Sequence, residues 1–202
     1  MATQDTVSLR AAVREDARLL ARLIDIAGEG IPSWLWSQGA APGQSPLDYG
    51  TERACRETGG FSYRNATVAE FRGTPVGMML GYVIPEPSDE ERREVASLPA
   101  PIRPFVELEH RAVGTFYVNA VAVLPDRRGL GIGAKLLRAA EASARHAEAP
   151  ETSIQVYSQN AGAVRLYERF GFRIVDRTPV ILHPCPPHHD EDVLLMTKSV
   201  LA

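Results

Sequence analysis

The run Asp126-Arg127-Arg128-Gly129-Leu130-Gly131-Ile132-Gly133 constrains the fold more than any other segment, because its glycines stand between a strand pattern and a helix pattern. Thr115 to Leu124 is rich in β-branched and aromatic residues and is closed by Pro125, which predicts a strand. Gly133 to Ala147 predicts a helix, with Leu136, Leu137, Ala140 and Ala144 on one face and Lys135, Arg138, Glu141 and Arg145 elsewhere. Glycines at such a junction let backbone amides turn toward one point without Cβ obstruction, and a helix N-terminus adds positive potential. An anion is the natural occupant. A dinucleotide fingerprint would need a third glycine where Leu136 stands, and a Walker loop would need lysine where Ala134 stands, so neither motif is met.

The remaining chain alternates strand and helix signals. Val7 to Leu9 reads as a short strand, followed by a helix in which Ala17, Leu20, Ala21, Leu23, Ile24 and Ala27 recur at helical spacing until Gly28. Gly30 to Gly50 holds Pro32, Trp34, Trp36, Pro42 and Pro46 and predicts a loop with short helical pieces, its tryptophans either walling a pocket or covering the core. Tyr63 to Phe71 and Val76 to Ile84, joined by Arg72-Gly73-Thr74, predict a hairpin. Pro85 to Pro104, with five prolines and the charge run Asp89 to Glu94, reads as an excursion with room for one short helix. Thr152 to Tyr157 predicts a strand, Asn160 to Phe170 a helix ended by Gly171, and Phe172 to Leu182 with Val193 to Val200 a closing strand pair.

Composition bounds the class. A chain of 202 residues with 45% hydrophobic and 23% charged residues is expected to be one globular domain. A net charge of -3 supplies no broad basic field, so no nucleic-acid partner is expected. No stretch reaches the roughly 18 apolar residues of a membrane span, and Met1 to Arg10 has no apolar run suited to secretion. Only two cysteines, Cys55 and Cys185, are present, which makes free thiols and a cytoplasmic location the expectation. The cluster His183, Cys185, His188, His189 and Asp190 fits no zinc spacing, and no metal is expected there.

Arg128, Gly131 and Gly133, preceded by Val121-Ala122-Val123, form an Arg-x-x-Gly-x-Gly pattern. Asn160-Ala161-Gly162-Ala163 opens the next helix with Tyr167 seven positions later, and Tyr167-Glu168-Arg169-Phe170-Gly171-Phe172 forms its junction with the following strand. In these elements and their order the chain resembles the GNAT superfamily of N-acetyltransferases, specifically over about Phe116 to Val175. The resemblance implies an α+β or α/β fold, the GNAT-like acyl-CoA acyltransferase fold, with a central mixed, mostly antiparallel sheet flanked by helices. It implies a single domain over 1–202, with the Pro- and charge-rich insertion at about 85–110. It also implies acetyl-CoA as co-substrate, an amine as acceptor, and compatibility with a homodimer. A non-catalytic acyl-CoA-binding sensor or partner-binding module is the alternative.

Carried over by position, the resemblance implies that Val121, Ala122 and Val123 pair with the pantetheine arm. Backbone amides of Arg128, Gly129, Leu130, Gly131, Ile132, Gly133 and Ala134 would hold the pyrophosphate, and Asn160 and Ala163 the pantetheine or phosphate region. Tyr167 would face the sulfur and act as the acid. The chemistry needs a neutral amine, although a lysine-like amine titrates at about 10.4, so a base or a desolvating site is required. A strand amide near Val121 would stabilise the oxyanion, and the departing thiolate, near 8.5 by analogy with cysteine, can take a proton from a tyrosine near 10. Gly114 to Leu124 carries no carboxylate, so the base is sought upstream at Glu107, Glu109 or His110, where a charged strand edge or solvated loop is the competing reading, or in a bound water. Trp34, Trp36 and Tyr63 are the expected acceptor contacts.

Overall fold

A computed structural model describes residues 7–200; the beginning of the Met1 to Arg10 reading lies outside the described residues. Seven strands form one sheet in the order β1-β2-β3-β4-β5-β7-β6. They are β1 (Val7–Ala11), β2 (Ala66–Phe71), β3 (Thr74–Val83), β4 (Phe116–Val123), β5 (Glu151–Tyr157), β6 (Arg173–Pro179) and β7 (Asp192–Ser199). β4 and β5 pair in parallel, whereas β1 with β2, β2 with β3, β5 with β7 and β6 with β7 pair antiparallel. The helices are α1 (Ala17–Ala27), α2 (Ile31–Gly39), α3 (Pro46–Ala54), α4 (Asp89–Glu94), α5 (Arg103–His110), α6 (Ile132–His146) and α7 (Ala161–Arg169). No helix among the described residues is long and apolar enough to cross a membrane.

The described chain divides into two compact units, one of residues 7–81 and 120–139, the other of residues 82–119 and 140–200. The first unit builds its core from the helical stripe Ala17, Leu20, Ala21, Leu23 and Ile24 with Val68, Met78 and Leu80 of the hairpin and Ala120 and Ala122 of β4. Alternation places Ala120 and Ala122 inward while Val121 and Val123 are half-buried, as a strand period of two requires. In the second unit the buried residues include Leu108, Tyr117, Val118, Ala140, Ala144, Ile154, Val156, Leu194, Leu195 and Met196.

Three expectations are corrected. Gly30 to Gly50 is not a loop with fragments but two nine-residue helices, α2 and α3. Their prolines, Pro32 and Pro46, occupy the first turn, where the missing N–H costs nothing, and Ser45 caps α3 by accepting from the Asp48 amide. Tyr63 to Asn65 forms a 3-10 turn, so β2 begins only at Ala66. Pro85 to Pro104 includes one short α-helix, α4, started by the Ser88 and Glu91 capping box, but α5 follows it from Arg103 with Pro104 in its first turn, so Glu107, Glu109 and His110 stand on a helix and not on a strand edge or loop.

Candidate active site

In the first unit, β4 runs into the glycine turn and α6. Gly129 and Gly131 have φ of +81° and +73°, a left-handed conformation that side chains resist. Nothing lies within 4 Å of where a Cβ would sit on either, so the backbone faces open space. The Lys135 N–H donates to the Gly131 carbonyl at 3.2 Å and closes the first turn of α6. Among the described residues no backbone acceptor pairs with the amides from Gly129 to Ala134. Unspent amides at a helix start with open space before them fit a pyrophosphate. In the second unit β4 pairs in parallel with β5 at Phe116–Val118 and Thr152–Ile154. The Val123 carbonyl at the end of β4 accepts from Arg128 Nε at 3.3 Å.

In the second unit, polar side chains from β3, β4 and α5 meet. The Tyr82 hydroxyl donates to Glu109 Oε1 at 3.2 Å, and Asn119 Nδ2 donates to the Tyr82 oxygen at 3.3 Å. The Tyr82 and Tyr117 rings meet edge to face with centroids 5.9 Å apart. Burial pushes the Glu109 carboxyl above the usual carboxylate range, against a smaller lowering by the Tyr82 hydrogen bond. Burial, with the nearby Glu109 charge, also holds the Tyr82 and Tyr117 phenols well above 10. Two contacts fix α5 beneath this cluster: Gln155 Nε2 donates to the Phe105 carbonyl at 3.0 Å, and Arg111 pairs with Asp176 at 2.9 Å.

Asn160 is the N-cap of α7, its Oδ1 accepting from the Ala163 amide at 3.1 Å. Tyr167, on the same helix, is 7% exposed and close enough to Tyr117 to raise its pKa. Gly171 ends the junction after α7, and the Phe172 amide donates to the Tyr167 carbonyl at 3.0 Å. The sequence brought Glu109 forward, but Tyr82 and Asn119 were missed. Neither lies in a local motif, and they meet Glu109 only through pairings 27 and 37 positions apart.

The other expected positions separate. Glu107 is exposed on α5, and Glu109 is not on a strand edge or loop. Trp36 is 5% exposed in the core of the first unit, its ring filling the space above Gly50, which removes it from the acceptor contacts. Trp34 is half-buried on α2, and the Tyr63 hydroxyl donates to Glu57 at 2.9 Å. Among the described residues no group of three or more His, Cys, Asp or Glu side chains is arranged to hold a metal. Cys55 and Cys185 are free.

The chain belongs to the acetyltransferase (GNAT) family, which it matches over residues 29–172. The family uses acetyl-CoA, which is the co-substrate here. Polyamine N acetyltransferase from Drosophila melanogaster, an enzyme that forms N acetylagmatine, matches with TM-score 0.68 and 17% identity over 96% of this chain and 100% of that one. An N-acetyltransferase from Staphylococcus aureus Mu50 matches with TM-score 0.63 and 19% identity over 95% and 100% of the two chains. The structure of yncA from Salmonella typhimurium with its cofactor acetyl-CoA matches with TM-score 0.60 and 18% identity over 98% and 95%. At these identities the likeness shows the fold. No curated protein matches the sequence.

Proposed function

We propose that this chain is a single catalytic domain that transfers the acetyl group of acetyl-CoA to a primary amine of a small molecule or peptide. The half-buried Glu109 carboxyl carries the reading, since β4 itself has no carboxylate or histidine to serve as a base. Glu109 takes one proton from the acceptor ammonium, and the neutral amine nitrogen bonds to the thioester carbon. The carbon–sulfur bond breaks, Tyr167 gives its proton to the departing thiolate, and the second proton that the nitrogen sheds as it becomes an amide returns to Tyr167. Amides of Gly129 to Ala134 hold the pyrophosphate, and, as the family resemblance implies, backbone groups of Val121 and Val123 hold the pantetheine arm and the oxyanion. Asn160 and Ala163, at the start of α7, contact the pantetheine.

The acidic balance favours cationic acceptors, and relatives of the same fold include a polyamine and an agmatine N-acetyltransferase. Trp34 and Tyr63 are the remaining candidates for acceptor contact. The test is thiol release from acetyl-CoA in the presence of agmatine, spermidine or a lysine peptide. Wild type should release CoA only with an acceptor, and Tyr167→Phe should lose turnover while acetyl-CoA affinity stays near wild type. Unchanged turnover in Tyr167→Phe would remove the acid assignment.

A further inference from the structure

The hydrogen bonds at Glu109 have a direction. An asparagine amide nitrogen can only donate, so the Tyr82 oxygen acts as acceptor toward Asn119 at 3.3 Å. The single phenolic proton is thereby sent the other way, to Glu109 Oε1 at 3.2 Å. Both contacts are long, as catalytic hydrogen bonds are before substrate binds. The three side chains come from β4, β3 and α5, so the chain of bonds exists only in the folded second unit.

We propose that Tyr82 and Asn119 are positioning residues for acetyl transfer: together they anchor Oε1 of Glu109 and leave Oε2 as the oxygen that takes the acceptor's proton. The inference rests on Glu109 being the base. Hydrogen-bond donation to a carboxylate favours its charged form, so Tyr82 opposes the effect of burial. Among the described residues, no positively charged group acts on the carboxylate. Tyr117 of β4 and, next to it, Tyr167 of α7 are phenols. On the strands packed against α5, Asp176 of β6 is paired with Arg111 and Lys198 of β7 with Glu141, while His110 beside Glu109 faces Glu91. Donation through Tyr82 is therefore the chief influence that favours the charged form of Glu109 against burial.

Glu109 is followed by carbon-13 NMR of glutamate side-chain carboxyls in the full chain, assigned with Glu109→Gln, beside the pH profile of kcat/KM for agmatine acetylation. In Tyr82→Phe the Glu109 midpoint should rise by roughly one pH unit, the equivalent of one hydrogen bond to a charged group. The acidic limb of kcat/KM should rise with it. Asn119→Asp, nearly isosteric, draws the phenolic proton away from Glu109 and adds a negative charge, so its rise should be larger; it serves if Tyr82→Phe does not fold. A Glu109 midpoint that stays at the wild-type value in a folded variant overturns the proposal, as does an acidic limb that ignores a moved midpoint. A wild-type protein that binds acetyl-CoA but acetylates no amine would fail the functional reading on its own, whatever the midpoint does, and the proposal with it.

Discussion

A carboxylate that serves as a base has to be ionised, and burial works against ionisation. As the proposed base, Glu109 is subject to both demands, which yields a stability prediction alongside a catalytic one. Its folded-state pKa is raised, so the folded protein holds the proton more tightly than the unfolded chain does, and stability falls as pH rises from the unfolded toward the folded value. Glu109→Gln should therefore raise the melting temperature, more at pH 8 than at pH 5, while turnover falls by about a hundredfold or more. A thermal scan at the two pH values, paired with the CoA-release assay, checks both. Asp16 has the opposite sign. It is 8% exposed, receives two hydrogen bonds from Arg10 at 2.7 and 2.9 Å and one from the Val13 amide at 2.8 Å, and its pKa is lowered, first by Arg10. Its contribution is present above the ordinary carboxyl range and is lost as pH falls through the depressed folded value. Asp16→Asn should cost about 2 kcal/mol in denaturant unfolding at neutral pH, and the deficit should shrink on acidification.

At the scale of elements, the sequence was read well where the signal was local and misread where proline was taken only as a breaker. β4, the turn and α6 follow one another as the β-branched run, the glycines and the apolar stripe require, and α7 begins at its Asn160 cap. α2, α3 and α5 were missed or shortened because Pro32, Pro46 and Pro104 start helices there. The candidate site divides in the same way. The amide turn is contiguous in sequence, whereas the Tyr82 and Asn119 pairing with Glu109 depends on which strands lie beside α5. Two substitutions separate binding from folding at this scale. Gly131→Ala puts a side chain on a φ of +73° and into the open space before the amides. It should cost about 1 kcal/mol in stability and weaken acetyl-CoA binding by calorimetry far more than that cost explains. Gly77→Ala on β3 would place its Cβ 2.9 Å from the Ala122 carbonyl oxygen, so it should lower the melting temperature by several degrees.

For the whole molecule, a ligand that binds only the folded chain stabilises it by mass action. Acetyl-CoA at a hundred times its Kd should add about 2.7 kcal/mol, and pantetheine, which lacks the pyrophosphate, should add little at the same concentration. The family fixes the donor, and the proposed site in the glycine turn would let a chain of net charge -3 hold a polyanion, because backbone amides and a helix start need no lysines to do so. The central claim is that this fold moves an acetyl group to an amine with Glu109 as the base. The most direct measurement is mass spectrometry of agmatine incubated with acetyl-CoA and either wild type or Glu109→Gln at equal acetyl-CoA occupancy. The account predicts a product heavier by one acetyl group with wild type and at most about a hundredth of that rate with Glu109→Gln. Equal rates for the two proteins would contradict it.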